Sequence, residues 1–198
     1  GWSYCVLYLV FGQLVTKIRF VDKQKRGLAE GRGGRRGPEN VWGSAATSLL
    51  CAACAVQGPE FLGIPSPLLV LGFCAGLATK LADTFASEIG KAYGKTTFLI
   101  TTFQRASPGD EGAVSLEGTV AAAVGGLLLS SYGMAIGLIS PLMAVISTVA
   151  AFIATNVESY LGATIQEGKW ITNEVINFFN TVIGAGIAIG LAKALLWG

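Results

Sequence analysis

The fold is decided by residues 66–90, which read SPLLVLGFCAGLATKLADTFASEIG. This stretch exceeds the roughly 20 residues that a helix needs to cross a bilayer, and it contains no charge before Lys80. Lys80, Asp83, Ser87 and Lys91 then recur on one helical face toward the end of the span. An ionisable residue within a span costs about 2.5 kcal/mol or more, so such residues usually line a functional cavity. The simpler alternative is that Lys80 and Asp83 only neutralise each other.

The composition of the whole chain indicates a membrane protein. Of 198 residues, 52% are hydrophobic and 13% are charged, and the mean hydropathy is +0.59. Soluble domains carry about 25% charged residues, so this composition excludes an ordinary soluble enzyme. We predict an all-α, polytopic membrane protein with one transmembrane domain over residues 1–198. Because the chain begins at Gly1, we also expect that an N-terminal segment is missing.

About six transmembrane helices are predicted from the apolar stretches. They lie at about 2–18, 41–57, 66–90, 112–133, 135–160 and 174–197, with Gly133 at a tight turn between the fourth and fifth. When the spans alternate in direction, 12 of the 14 basic residues fall in the segments 17–40, 91–111 and 161–173. Basic loops stay on the inner side, so this face is predicted to lie in the cytosol or the stroma. Lys23 and Lys25 are interpreted as orientation charges. The net charge of +2 excludes nucleic-acid binding through overall charge.

The third and fifth spans share a pattern that indicates an internal duplication. Asp83-Thr84-Phe85 corresponds to Glu158-Ser159-Tyr160, and Thr119 corresponds to Thr181. We therefore predict two-helix repeat units at about 66–133 and 135–197. A site between parallel repeats would receive one carboxylate from each.

Two loops on the basic face contain residue types that suit phosphate. The first contains Arg32-Gly33-Gly34-Arg35-Arg36, in which glycines let the backbone approach an anion and arginines donate paired hydrogen bonds. The second contains Thr101 and Thr102 ahead of the Pro108-Gly109 turn. A basic loop is also an ordinary orientation signal, and Asp110 is also typical of a helix cap. The chain has no histidine, so a metal ion would need oxygen ligands, which favours Mg²⁺.

A set of short polar and glycine-containing motifs runs through nearly the whole chain: Arg32-Gly33-Gly34-Arg35, Ala82-Asp83-Thr84, Ala86-Ser87-Glu88-Ile89-Gly90, Ile100-Thr101-Thr102, Pro108-Gly109, Glu111-Gly112, Val114-Ser115-Leu116, Gly118-Thr119, Asn156-Val157-Glu158-Ser159, Leu161-Gly162-Ala163 and Thr172-Asn173-Glu174 through Asn177 to Asn180-Thr181. At these motifs the chain resembles a family of integral membrane proteins that includes the plant phytyl-phosphate kinase of the tocopherol pathway. The resemblance implies transfer of a phosphoryl group from a nucleoside triphosphate, CTP or another, to phytyl phosphate or a similar prenyl phosphate. It also implies a chloroplast membrane, either envelope or thylakoid.

Under this interpretation each polar group has an expected role. Asp83, Glu88 and Glu158 would bind Mg²⁺ and act in catalysis together with Lys91. The phosphate-binding residues would be Arg32, Gly33, Gly34, Arg35, Arg36, Thr101, Thr102, Ser115, Thr119, Asn177 and Asn180. The lipid tail would lie near Gly72, Gly76 and Gly118. Two other functions remain open: a non-catalytic subunit of a larger plastid membrane complex, which could be photosynthetic, and a transporter.

Overall fold

Helices form most of the chain in the computed structural model, which describes residues 1–34, 37–165 and 172–196. Within these ranges the helices are α1 (Trp2–Lys17), α2 (Phe20–Lys25), the single turn α3 (Gly31–Gly34), α4 (Pro38–Ala55), α5 (Ser66–Tyr93), α6 (Leu116–Ala135), α7 (Pro141–Ile165) and α8 (Asn173–Leu196). Two antiparallel hairpins join them, β1 (Glu60–Phe61) with β2 (Ile64–Pro65), and β3 (Thr97–Leu99) with β4 (Ala113–Ser115). The described fold is therefore mostly helical but includes two small sheets that the sequence did not predict.

The decisive stretch of the sequence forms α5, the central helix of the bundle. It packs against α1, α4, α6, α7 and α8. Small residues allow this close contact: a Cβ atom at Gly76 would lie 2.5 Å from Ser48 Oγ, and one at Gly72 would lie 2.9 Å from Cys51 Sγ. Because α5 is surrounded by other helices, its polar residues face protein rather than lipid.

Four helices, α5 to α8, are long and apolar enough to cross a membrane. The apolar part of α4, Val41–Ala55, is shorter, and α1 has 16 residues. Large apolar side chains such as Leu127 on α6 and Val145 on α7 point outward, 55% and 59% exposed. An outer surface of this kind suits lipid rather than water. The predicted membrane-protein class therefore agrees with the structure, which shows four candidate spans and one shorter apolar helix.

The predicted boundaries around the fourth and fifth spans were wrong. Residues 113–115 form strand β4, so α6 begins only at Leu116. Gly133 is a buried helical residue packed against Tyr4 and Ile139 and does not form the turn. The chain turns instead at Gly137, whose φ of +75° lies in the left-handed region, and α7 begins at Pro141.

Candidate functional site

A polar cavity of about 340 Å³ opens at the end of the bundle where α6 and α8 begin. Its wall consists of the last turns of α5, the second half of α7 and the first turns of α6 and α8. The loop before β4 completes the rim through Pro108, Gly109 and Gly112. Helix N-termini carry partial positive charge, so two of the four surrounding helices present ends that favour an anion.

Lys80 and Asp83 form a buried ion pair in the wall of this cavity. The two residues lie one turn apart on α5, and Lys80 Nζ donates to Asp83 Oδ2. Lys80 Nζ also donates to Asn177 Oδ1 of α8 at 2.7 Å. The mutual neutralisation considered from the sequence is therefore present. Both charged residues still line the cavity.

Glu88 is paired with Lys23, which corrects the interpretation of Lys23 as an orientation charge. Lys23 is fully buried, and its Nζ donates to Glu88 Oε2 and to the Thr16 backbone carbonyl. Two arginines flank this contact: Arg19 and Arg26 donate to the carbonyls of Ala92 and Lys91 at the end of α5. Cations at a helix C-terminus are favourable, so α2 caps α5. Lys25 is exposed, as expected of an orientation charge.

Glu158 of α7 lines the cavity and, in the described part of the chain, has no lysine partner of the kind that Asp83 and Glu88 have. Within the described ranges it accepts no hydrogen bond and forms no ion pair. Its electrostatic environment consists of repulsion from Asp83 and Glu111 and attraction to Lys80 and Lys91. This half-buried carboxylate therefore lies in an electrostatic field of mixed sign.

The mouth of the cavity contains Glu111 and Lys91. Glu111 is exposed to solvent, yet partial desolvation by the surrounding protein raises its pKa above the usual value. The positive charge of Lys91 opposes this rise in pKa, and the negative charge of Asp83 adds to it. The charges of Glu111, Lys91 and Asp83 thus interact across one space.

Three predicted phosphate-binding residues also line the cavity: Ser115, Thr119 and Asn177. Ser115 caps α6 by accepting a hydrogen bond from the Gly118 N–H at 3.1 Å, and its carbonyl accepts from Thr119 Oγ1. The strand–helix junction at Ser115 therefore holds the hydroxyl groups at the start of α6.

Other predicted site residues do not line the cavity. Arg32, Gly33 and Gly34 lie beside α1 and α2, where Gly34 contacts Phe20 and Thr16. Thr101 and Thr102 lie at the tip of the loop after β3. Asn180 is fully buried between helices and its amide has no hydrogen-bond partner among the described residues. Arg35 and Arg36 lie outside the described residues.

Several cavity residues were not predicted as site residues. They include Lys80, Glu30, Asp110, Glu111, Asn156 and Asn173. Lys80 was visible as part of the charged stripe on the third span. Asp110 does act as a cap, but of a turn, because its Oδ2 accepts from the Ser107 N–H at 2.8 Å. The loop gave no periodic signal from which its inward-facing side chains could be predicted.

The predicted position for a lipid tail is filled by helix packing. Cβ atoms at Gly72 and Gly76 would collide with side chains of α4, and one at Gly118 would lie 2.8 Å from the Ala86 carbonyl oxygen of α5. These glycines therefore hold helices together and leave no groove.

Carboxylates outnumber ammonium groups in the described lining of the cavity. No group of three or more Asp, Glu or Cys residues in the described ranges lies close enough to hold a metal ion alone. The described lining nevertheless contains six carboxylates, at Glu30, Asp83, Glu88, Asp110, Glu111 and Glu158, against the ammonium groups of Lys80 and Lys91. Mg²⁺ typically takes one or two carboxylates and completes its shell with water and substrate phosphates. Asp83 and Glu88 are each paired with a lysine, Lys80 and Lys23, whereas Glu158 has no lysine partner among the described residues.

The fold and this cavity define a polytopic membrane protein with a polar cavity at one end of its helical bundle. The chain belongs to the family described as "Integral membrane protein DUF92", which matches residues 1–185.

Three relatives illustrate the range of the family. The chain is 53% identical to "Uncharacterized membrane protein sll0875" of Synechocystis sp., covering 96% of this chain and 73% of the relative. It is 42% identical to "Protein VTE6, chloroplastic" of Arabidopsis thaliana, covering 99% of this chain and 60% of the relative. It is 28% identical to "Uncharacterized membrane protein MJ0933" of Methanocaldococcus jannaschii, covering 96% of this chain and 76% of the relative. No solved structure matches the chain.

Proposed function

We propose that the protein is a prenyl-phosphate kinase that transfers a phosphoryl group from a nucleoside triphosphate to phytyl phosphate or a similar lipid. The observation that carries the proposal is the polar cavity of Lys80, Asp83, Lys91, Glu111 and Glu158 at one face of a membrane-embedded bundle. The relationship to the Arabidopsis protein VTE6 at 42% identity supports it, together with the resemblance to the phytyl-phosphate kinase family.

The reaction needs positioning and charge stabilisation rather than a strong base. A phosphate oxygen of the lipid attacks the terminal phosphorus of the nucleotide, and the bond to the bridging oxygen breaks to release the nucleoside diphosphate. A phosphate monoester is already an oxyanion, so no residue must remove a proton. Lys91 and the N-terminus of α6 would attract the phosphates, and Ser115, Thr119 and Asn177 would orient their oxygens.

We propose Asp83 and Glu158 as the residues that would hold Mg²⁺. Bound there, the ion would neutralise charge on the transferring phosphoryl group. The excess of carboxylates gives a reason why the reaction would need Mg²⁺, because the negative cavity would repel phosphates that arrive without a cation. Lys80, through its bonds to Asp83 and Asn177, fixes both side chains in the wall.

The test is an assay of the purified protein in detergent with radiolabelled ATP or CTP, phytyl phosphate and Mg²⁺. We expect label in phytyl diphosphate, and no product when EDTA removes the metal. If the protein binds neither the nucleotide nor the lipid phosphate, this result would instead favour the non-catalytic subunit. Vectorial uptake of a phosphate compound into vesicles without chemical conversion would favour the transporter.

We also propose that the shorter helices α1 and α4 cross the bilayer together with α5 to α8, with the repeat units as predicted. α1 and α4 would be about 24 and 27 Å long at 1.5 Å per residue, against a hydrocarbon core of about 30 Å. Short spans are accommodated by local thinning of the bilayer. Tyr4 of α1 donates to the Cys74 carbonyl of α5 at 3.0 Å, so α1 contacts a helix that itself spans the membrane. By analogy with VTE6 we propose a chloroplast membrane, with the cavity facing the stroma.

A further inference from the structure

A shallow apolar groove runs along the outer side of α7, beside the polar cavity. It is lined by Ile100, Phe152, Ile153, Val157 and Tyr160. Ile153 and Tyr160 are 40% and 52% exposed, so this surface is free to meet a hydrocarbon chain. Phe152 to Tyr160 spans about 12 Å of helix at 1.5 Å per residue, so the groove is about this long along the axis of α7.

Two structural links connect the groove to the cavity. Asn156 lines both spaces, and its Nδ2 donates to the Phe152 carbonyl at 2.7 Å, which fixes the amide between them. Ile100 forms a wall of the groove, and its backbone N–H donates at 3.0 Å to the carbonyl of Gly112, which lines the cavity. The polar and apolar spaces are therefore contiguous through one side chain and one loop.

We propose that this groove binds the prenyl chain of the phosphorylated lipid whose phosphate occupies the cavity. The inference rests on the proposed function and names the tail subsite of that site. An amphiphile with an anionic head needs a polar, cation-containing space next to an apolar one, and Asn156 marks the boundary between the two. The groove holds the part of the chain nearest the phosphate, and the remainder extends into the bilayer.

The groove is tested by filling it and by comparing acceptors with and without a hydrocarbon chain. Ile153→Trp and Val157→Trp each add an indole ring to the groove wall. We expect kcat/KM for phytyl phosphate to fall at least about tenfold, because a hydrocarbon chain that fits its pocket poorly reduces kcat/KM by about this factor. With methyl phosphate, an acceptor that has no hydrocarbon chain to place in the groove, kcat/KM should change less than about twofold.

The matched control is Val145→Trp. Val145 lies on the same helix two turns from Ile153, is 59% exposed and does not line the groove. Its kinetics should match the wild type with both acceptors. An equal loss in all three variants, or an equal loss with phytyl phosphate and with methyl phosphate, would overturn the assignment.

A binding experiment separates this inference from the kinase reaction. A phytyl phosphate analogue carrying a diazirine in its first isoprene unit is photolysed with the protein in detergent, and the labelled peptides are identified by mass spectrometry. Label at residues 152–160 that excess phytyl phosphate displaces supports the groove even if no diphosphate forms. Label that spreads over other lipid-facing helices and resists competition indicates general lipid contact and refutes the groove.

Discussion

Two lysines determine which acidic residues of the cavity remain available. Lys80 neutralises Asp83, and Lys23 neutralises Glu88. Glu158 is left without such a partner among the described residues and is surrounded by a mixed electrostatic field. Under the proposed function, a divalent cation would take the place of the missing lysine at Glu158. The acidic residues of the cavity are therefore not equivalent, although they look alike in the sequence.

Glu158→Gln should reduce turnover by at least about 100-fold while leaving thermal stability unchanged, since a neutral amide binds a hard cation weakly and no ion pair is lost. Asp83→Asn should also inactivate, but it leaves the buried Lys80 charge without its partner and should lower stability by about 3–5 kcal/mol. The measurements are the radiolabel assay and thermal unfolding in detergent. Full activity of Glu158→Gln would remove this residue from the site.

Lys23→Met should destabilise the protein by about 3–5 kcal/mol, because it leaves the Glu88 carboxylate buried without its cation. Lys25→Met, two residues away on α2 and exposed, should change stability by less than about 0.5 kcal/mol. Thermal unfolding of the two variants side by side provides the check. Similar stabilities would mean that the contact between α2 and α5 contributes little.

At the scale of elements, close helix contacts hold the site together. A Cβ atom at Gly184 of α8 would lie 2.0 Å from Thr79 Oγ1 of α5, so the two helices touch there. Thr79 adjoins Lys80, whose amino group binds Asn177 on the same face of α8. The spacing between α5 and α8 therefore sets the position of the Lys80 side chain in the cavity.

Gly184→Ala should push α5 and α8 apart, weaken the contact between Lys80 and Asn177, and reduce both stability and activity. Gly186→Ala is the matched control, since a Cβ there has nothing within 4 Å. It should be neutral or stabilise the helix by up to about 1 kcal/mol. Unfolding and activity assays on both variants test whether the spacing between α5 and α8 matters. Equal stability and activity of the two variants would contradict this role of Gly184.

Sequence reasoning predicted the long elements better than the connections. The apolar content of α5 to α8 was sufficient to predict membrane helices, and the charged stripe on α5 indicated the end of the bundle that contains the cavity. The β3–β4 hairpin was missed because strands of three residues carry no periodic signal. The burial of Lys23 was missed because its partner, Glu88, lies 65 residues away in the sequence.

At the scale of the whole molecule, the proposed six-span arrangement would place the loops alternately on two sides. Single cysteines at Lys25 and Lys95, in a chain whose four native cysteines are replaced, should react with a membrane-impermeant maleimide from the same side. Cysteines at Gln57 and Ala135 should react only from the opposite side. Protection assays on sealed vesicles report this directly. Reaction of positions 25 and 95 from opposite sides would exclude the six-span arrangement.

The shared side chain of Asn156 has a kinetic consequence. Under the proposed function, the nucleotide reaches the cavity through water, whereas the lipid reaches the groove by lateral diffusion within the bilayer. The two substrates then enter through separate openings, so neither needs to wait for the other and no compulsory binding order is imposed. The rate would depend on the mole fraction of lipid in the micelle rather than on its bulk concentration, and dilution with inert detergent would lower it at constant total lipid.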